Sequence, residues 1–265
     1  MNTVKVKNVE IGTGLPKIIV PIVGRTKEEI LAAAKSFEDV AMDIVEWRVD
    51  WFEGVFDFAQ VQDCAQALRK VLKDTPILFT FRTSKEGGEK AIELEDYVAL
   101  NKNIAATGLV DLVDVEAFCG DAYVKEVISA AHAYGVKVVA SNHDFDKTPS
   151  QSDIVYRLRK MQDLGADIPK IAVMPQSKAD VLTLLSATEE MATNFADRPI
   201  ITMSMAATGL ISRLCGEVFG SAATFGAVGK ASAPGQMNAK DLETILSLLH
   251  ASLCLLYTSP SPRDS

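Results

Sequence analysis

Apolar runs of six or seven residues alternate along the chain with longer segments in which apolar residues recur every three or four positions. Eight of these runs predict β-strands: Lys17–Val23, Asp43–Val49, Pro76–Arg82, Leu112–Ala117, Val136–Asn142, Pro169–Met174, Pro199–Ser204 and Ala222–Val228. A helical pattern follows each run. Because regular alternation of strand and helix is typical of parallel sheets covered by helices, the pattern predicts the α/β fold class.

The number of strands favours one architecture within that class. Eight strands, with no glycine-rich phosphate loop after the first, predict a closed (β/α)8 TIM barrel. A doubly wound open sheet is the alternative, although such sheets usually have fewer strands. Two short strand patterns, Val4–Val6 and Val9–Ile11, predict a hairpin that caps the bottom of the barrel. We expect one catalytic domain over residues 1–252.

Three helix starts carry capping signals. Thr26 begins a capping-box pattern that ends at Glu29, and Ser177 begins the helix after the sixth strand. The stretch from Thr148 to Gln151 predicts a helix with Pro149 in its first position, where the missing N–H has no intrahelical partner.

The last residues do not fit the pattern. Helical periodicity ends near His250 and Ala251, and the Ser-Pro-Ser-Pro stretch at 259–262 cannot continue a helix. Residues 253–265 resemble the conceptual translation of a sequencing-library adapter. We therefore expect a non-native, irregular tail that takes no part in the fold or the function.

Composition excludes several function classes. The 265 residues carry a net charge of −8, so a nucleic-acid partner is not expected. No apolar run reaches the ~18 residues that span a bilayer, and the N-terminus lacks a signal-peptide core, so no membrane partner is expected. The four scattered cysteines are typical of a cytoplasmic protein, and the three histidines have no metal-ligand spacing. We expect neither a metal nor another cofactor.

Polar residues in five consecutive predicted strands share one parity. They are Glu46 and Arg48, Thr80 and Arg82, Asp114 and Glu116, Ser141 and His143, and Lys170. Since side chains alternate along a strand, these residues lie on one face of the sheet. A solvated face of an antiparallel sheet would give the same alternation. If helices cover the outside, however, the polar face is the barrel interior, near the strand ends where barrel enzymes place their chemistry.

Lys170 interrupts an apolar strand that is bounded by Pro169 and Pro175. If both faces of that strand are covered, the ammonium group is held away from water, and its pKa falls from ~10.4 towards about 7–8. Like-charge repulsion from Arg48 and Arg82 would favour the neutral amine further. Such an amine is a nucleophile that forms a Schiff base with a carbonyl substrate. The alternative is a lysine that reaches solvent from an edge strand.

Several other residues are candidates for the same site. His143 suits proton transfer near neutrality, and Glu86, beside two glycines after the third strand, could orient it. Arg213 is a candidate clamp for an anion. Ser232 and Gln236 lie in a small-residue loop that could contact substrate hydroxyls. A core histidine, a solvated carboxylate, a surface arginine and an ordinary turn are the corresponding alternatives.

Taken together, these segments resemble type I 3-dehydroquinate dehydratase, a family of Schiff-base enzymes. The matching segments are Glu46–Asp50, Phe79–Arg82, Glu86–Gly88, Ser141–Phe145, Pro169–Ala172, Ile201–Met205, Ser212–Arg213 and Ser232–Gln236. They occur in order and cover essentially the whole chain before the tail. No departure occurs at the positions that match the catalytic motifs of the family.

The resemblance implies a reaction and a role for each residue. Lys170 would form an imine with 3-dehydroquinate, His143 would transfer protons, and Glu86 would polarise the imidazole. Loss of water would give 3-dehydroshikimate, the third step of the shikimate pathway. The implied substrate-binding residues are Glu46, Arg48, Arg82, Arg213, Ser232 and Gln236. The resemblance also implies a homodimer.

Two other functions remain open from the residues alone. A class I aldolase-type barrel would use the same lysine chemistry to cleave a carbon–carbon bond. A non-catalytic barrel would keep the pocket and bind a polyol acid without turnover.

Overall fold

A computed structural model describes residues 2–229 and 235–258, and the side chains of that part up to residue 254. The strands are β1 (Val4–Val6), β2 (Val9–Ile11), β3 (Lys17–Ile22), β4 (Ile44–Arg48), β5 (Ile77–Thr80), β6 (Leu112–Glu116), β7 (Lys137–Asp144), β8 (Ile168–Val173), β9 (Ile201–Ser204), β10 (Ala223–Ala227) and β11 (Met237–Asn238).

Helices follow the barrel strands. They are α1 (Lys27–Lys35), α2 (Phe58–Leu72), α3 (Leu94–Ala106), α4 (Asp121–Ala133), α5 (Gln151–Asp163), α6 (Lys178–Asn194), α7 (Leu210–Leu214), α8 (Gly216–Phe219) and α9 (Ala239–Thr258). Short 3-10 turns cover Val49–Trp51 and Ser84–Glu86. Within the described ranges, no helix has the length and apolarity to cross a membrane.

The eight strands from β3 to β10 are parallel and follow one another in chain order around the sheet. The ring closes between β9 and β10, where Ile200 and Ser221 form a parallel bridge and the Ala222 N–H donates to the Ile200 carbonyl at 2.8 Å. The predicted (β/α)8 barrel is therefore confirmed, and the open sheet is excluded. The short strand β11, which the sequence pattern did not predict, adds to β10.

Each barrel strand divides its residues between two apolar environments. On β4, Val45 and Trp47 pack outward into the large core that the helices cover. Ile44, on the opposite parity, belongs to a second cluster inside the barrel. Because helices cover the outer face, the interior parity is the one that carries the polar residues.

The N-terminal hairpin closes the lower end of this interior. β1 and β2 pair in antiparallel fashion, as the sequence predicted. Val4, Val6, Val9 and Ile11 are buried and pack with the first interior residues of the barrel strands. The lower barrel end is thus sealed by apolar side chains.

The helix ends confirm two of the sequence predictions and correct others. Thr26 and Ser177 are N-caps, as predicted. Ser177 forms a full capping box with Asp180, but the box predicted at Thr26 is incomplete, because Glu29 accepts from the Arg25 N–H at 2.7 Å. The prediction of Pro149 in the first position of α5 is wrong: Ser150 is the N-cap and accepts from the Asp153 N–H at 3.3 Å, so the proline precedes the helix.

The predicted end of the last helix near His250 and Ala251 is also wrong, because α9 continues to Thr258. Residues 251–258 contain no glycine or proline, so nothing in that stretch breaks the backbone hydrogen-bond pattern. The expectation of an irregular tail is therefore incorrect for residues 253–258. Residues 259–265 lie outside the described part of the chain, and the non-native origin of the tail stays a prediction.

Candidate active site

Lys170 lies on β8 with its side chain inside the barrel, and the residue is only 4% exposed. Its Nζ lies 3.2 Å from Nε2 of His143 on the neighbouring strand β7. It also lies 4.8 Å from the ring centre of Phe225 on β10. The edge-strand alternative is excluded, since β8 has a strand on each side and Lys170 is sheltered from water.

Glu86 lies behind the imidazole. Its Oε2 accepts the backbone N–H of His143 at 2.9 Å and lies 2.9 Å from Nδ1. A carboxylate in that position favours the tautomer with the proton on Nδ1, which leaves the Nε2 lone pair directed to Lys170. Carboxylate, imidazole and amine therefore form one line.

The backbone around Glu86 depends on two glycines. Gly87 has φ +81°, and a Cβ there would lie 2.4 Å from the Phe145 ring. A Cβ on Gly88 would lie 1.8 Å from the Arg82 carbonyl oxygen. Any larger residue at either position would displace the turn that carries Glu86.

A carboxylate fixes the start of the same loop. Glu116 accepts the Thr83 N–H and the Thr83 hydroxyl, both at 2.8 Å. The same side chain accepts from Arg82 Nη1 at 3.1 Å. Glu116 thereby fixes both the loop and the guanidinium beside it.

The two interior arginines are held by carboxylates. Arg48 donates from Nε and Nη2 to the two oxygens of Asp50, both at 2.8 Å. Arg82 Nη2 donates to Asp114 at 2.8 Å, and Nη1 donates to Ser141 at 2.9 Å. Burial opposes charge on these groups, but their acidic partners keep the pKa values of both arginines raised. Both arginines are rigid, charged walls of the site.

The lysine and the histidine are both driven towards the neutral form. Burial is the main cause of the lowered pKa of Lys170, and the positive charges of Arg82 and Arg48 add to it, while Asp114 and Glu46 oppose it. Burial also lowers the pKa of His143 well below its usual value, helped by Arg82 and Lys170. Repulsion by the arginines is therefore a secondary cause of the low lysine pKa.

Glu86 shifts in the opposite direction. Burial raises its pKa from 4.5 to about 7, against the opposing influence of Arg82. A carboxyl group that titrates near neutrality is suited to share a proton with the imidazole.

A narrow cleft opens above Lys170. Its walls include Glu46, Arg48, Arg82, Glu86, His143, Met203, Met205, Arg213, Phe225 and Gln236. Glu46 accepts from the Thr80 hydroxyl at 3.0 Å. The structure therefore brings eight of the nine predicted site residues to one cavity. The ninth, Ser232, lies outside the described residues.

Arg213 is a third arginine that lines the cleft. It lies on α7 and is 2% exposed, so the surface-helix alternative is excluded. Its Nη1 lies 3.5 Å from Sδ of Met203, which is a weak acceptor. Burial lowers the pKa of Arg213 to about 10, so the group is still charged at neutral pH and would gain from an anionic ligand.

The sequence reasoning missed several residues of the site. Asp50 was quoted only as part of a motif, although it holds the Arg48 guanidinium. Phe225 was not singled out, but its interior parity on the last barrel strand was a usable signal. Met203 lies on β9 and Met205 directly follows it, both on the parity that faces the barrel interior. The alternation along this strand was therefore a usable signal as well.

The Lys170 amine, the His143 imidazole and the Arg213 guanidinium thus line one cleft. Within the described ranges, no cluster of three or more histidine, cysteine, aspartate or glutamate residues is arranged to hold a metal ion. The arrangement suits attack of Lys170 on a carbonyl carbon, followed by proton transfer through His143.

Known proteins are similar to this chain over most of its length. The type I 3-dehydroquinase family model matches residues 18–253. The 3-dehydroquinate dehydratases of Salmonella agona (strain SL483) and Clostridioides difficile (strain 630) are each 57% identical over 250 residues, which cover 94% of this chain and 99% and 98% of those proteins.

Solved structures give the same result. The type I 3-dehydroquinate dehydratase from Clostridium difficile, solved with covalent modified comenic acid, has a TM-score of 0.93 and 56% identity, covering 95% of this chain and 99% of that one. The 3-dehydroquinate dehydratase from Geobacillus kaustophilus HTA426 has a TM-score of 0.91 and 39% identity, covering 94% and 97% of the two chains.

Proposed function

This chain belongs to the type I 3-dehydroquinase family, and from that premise we propose that it dehydrates 3-dehydroquinate to 3-dehydroshikimate through an imine on Lys170. The observation that carries the proposal is the buried line from Glu86 through His143 to Lys170. The covalent modified comenic acid in the Clostridium difficile relative also supports a covalent route.

Substrate binding begins at the buried cations. Arg213 pairs with the substrate carboxylate, since a buried guanidinium gains most from an anionic partner. Ser232 and Gln236 assist it. Glu46, Arg48 and Arg82 contact ring hydroxyls, although the forks of both arginines are already held by carboxylates. These two arginines therefore supply charge and shape more than new hydrogen bonds.

The amine then attacks the C3 ketone. Lys170 is neutral because it is buried, so its lone pair is available without prior loss of a proton. His143 Nε2 takes a proton from the nitrogen of the tetrahedral adduct and gives it to the former ketone oxygen. A second proton, taken up from solvent, lets that oxygen leave as water, and a cationic imine remains. That imine withdraws electrons and acidifies the proton on C2.

The same imidazole completes the elimination. His143 Nε2 removes the C2 proton and then donates a proton to the departing C1 hydroxyl, so a syn elimination follows from the use of one group. Glu86 accepts from Nδ1 and stabilises the imidazolium that forms between the two transfers. Water finally hydrolyses the product imine and frees Lys170.

An absorbance assay tests this proposal against the alternatives. Conversion of 3-dehydroquinate to the conjugated enone of 3-dehydroshikimate raises the ultraviolet absorbance. A class I aldolase-type barrel would instead release smaller carbonyl fragments, and a non-catalytic barrel would bind the substrate with no spectral change. We expect a rise in absorbance with the native chain, and none with Lys170→Ala. No rise with folded native protein would overturn the proposal.

The biological setting is part of the same proposal. We infer that the reaction is the third step of the shikimate pathway, which leads to chorismate and the aromatic amino acids. The family resemblance also supports a homodimer that works in the cytoplasm. Light scattering of the purified chain tests the dimer: a mass of one chain, 28.6 kDa, would contradict it.

A further inference from the structure

Asn142 connects the catalytic carboxylate to an arginine outside the cleft. Its Nδ2 donates to Glu86 Oε1 at 3.1 Å, and its Oδ1 accepts from Arg157 Nη1 at 2.9 Å. Glu86 Oε2 meanwhile faces His143. Each carboxylate oxygen thus has its own partner, and the chain of contacts runs from Arg157 through Asn142 and Glu86 to the imidazole.

The arginine decides which way the amide of Asn142 points. A guanidinium only donates, so the atom that faces Arg157 has to be the amide oxygen. The amide nitrogen is then directed to Glu86. Without Arg157, the amide could rotate and present its oxygen to the carboxylate, which would repel it.

Arg157 is itself held in place. Its Nη2 donates to Asp153 at 2.8 Å, and its Nη1 lies 3.6 Å from Asp144. Its guanidinium also lies 5.9 Å from the centre of the Phe118 ring. The side chain is 20% exposed, which places it between solvent and the buried amide.

We propose that Asn142 and Arg157 are positioning residues, which keep the Glu86 carboxylate directed at Nδ1 of His143. The inference rests on the proposed proton-transfer role of His143. Neither residue reaches the cleft above Lys170, so both act through Glu86.

The charges around Glu86 give the direction of the effect. Glu86 also faces Arg82, Glu116, Asp114 and His143. None of these groups is altered by a change at Asn142. The Asn142 hydrogen bond lowers the pKa of Glu86, so its loss raises that pKa further. The acid limb of the pH profile would then move to higher pH.

The first test observes the free enzyme and needs no turnover. Nitrogen-15 NMR of histidine-labelled protein reports the tautomer of His143, and the chain has only three histidines to assign. Native protein should carry the proton on Nδ1. Asn142→Asp retains the acceptor for Arg157 but presents a negative charge to Glu86, so we expect a mixed tautomer. An unchanged tautomer in this variant would overturn the proposal.

The second test is a kinetic double-mutant cycle. We expect Asn142→Ala to lower kcat by up to about tenfold, since Glu86 itself remains, with little change in KM and an acid limb moved to higher pH. Arg157→Met should show a smaller loss of the same kind. Because Arg157 acts through Asn142, the double variant should lose no more than Asn142→Ala alone. Additive losses would overturn the coupling.

Arg159 supplies a matched control on the same helix. It stacks over the Phe195 ring at 4.5 Å, as Arg157 does over Phe118, but has no contact with Asn142. Arg159→Met should leave the pH profile unchanged. Arg157→Lys should retain part of the activity that Arg157→Met loses. If Asn142→Asp shifts the tautomer of His143 but turnover is unchanged, the proposed proton-transfer role of His143 is contradicted. The positioning role of Asn142 is then still supported.

Discussion

The two ends of the barrel interior are built from the same strands, yet they differ completely in chemistry. On β6, Leu112 lies in the lower apolar layer, while Asp114 and Glu116 lie above it on the same face. On β8, Ile168 and Lys170 repeat the arrangement. Two residues along a strand therefore separate the lower apolar layer, here called the floor, from the charged layer that contains Asp114, Glu116 and Lys170.

The charged layer is reactive because it is buried. Lys170 is only 4% exposed, and this burial lowers its pKa. The carboxylates that pair with Arg48 and Arg82 keep the layer fixed. Changes to the floor should therefore affect stability, and changes to the charged layer should affect turnover.

Replacement of Lys170 is the strongest way to separate these two effects. We expect Lys170→Met to abolish turnover, because other covalent enzymes lose on the order of 10⁶-fold in kcat without their nucleophile. The melting temperature at pH 7 should stay equal or rise, since an apolar side chain replaces a buried amine. Activity assays and calorimetry check both parts. A large drop in melting temperature would contradict the division of roles.

Replacement of the imidazole should have the next largest effect. We expect His143→Ala to slow the reaction by roughly 10²–10⁴-fold, the usual contribution of a general acid and base. Imine formation should persist slowly, while elimination is severely impaired. Rapid-quench mass spectrometry would then detect substrate-linked enzyme that accumulates. Equal losses in both steps would argue against the separate elimination role.

A substitution in the lower apolar layer should have the opposite effect, with a loss of stability and little change in the chemistry. Leu112 is 1% exposed, and we expect Leu112→Ala to lower the free energy of unfolding by about 2–5 kcal/mol. The pH profile of the folded fraction should keep its native midpoints, because no charge has moved. Urea titration and the pH profile at low temperature provide the test. A shifted midpoint would show that the floor also tunes the amine.

Of the three catalytic groups, Glu86 should show the smallest loss of activity when it is replaced, here by glutamine. The amide can still accept from Nδ1, but a neutral acceptor is weaker, so we expect a loss of roughly tenfold in kcat. Native activity should fall as the pH drops through about 7, where Glu86 takes up a proton. The activity of Glu86→Gln should not fall in this pH range, because the amide does not titrate.

The same substitution changes stability in a predictable direction. The pKa of Glu86 rises from 4.5 to about 7 on folding, so ionisation in this window makes the native fold less stable as the pH rises. Glu86→Gln should therefore raise the melting temperature at pH 8 more than at pH 4. The reverse order would contradict the raised pKa.

Much of this architecture follows from the period of the strands. Side chains alternate along a strand, so one pattern predicted both the helix-covered outer face and the polar interior. The fixed order of βα units then placed Lys170 beside His143, as neighbouring strands require. The hairpin at residues 4–11 was predicted for the same reason.

Other features depend on three-dimensional contacts that periodicity does not encode. The pairing of Arg48 with Asp50 depends on the turn after β4. The start of α5 at Gln151 depends on which hydroxyl caps it. The route from Arg157 to Glu86 crosses from a helix to a barrel strand and then to a 3-10 turn. Such contacts arise from the path of the backbone, and no residue in them is unusual by itself.

The central claim is that a sheltered amine at residue 170 forms a covalent bond with the substrate ketone. Borohydride reduction in the presence of 3-dehydroquinate, followed by peptide mass spectrometry, tests it directly. We predict a reduced adduct on Lys170, with loss of activity in proportion to its yield. Full activity and an unmodified Lys170 after the same treatment would contradict it.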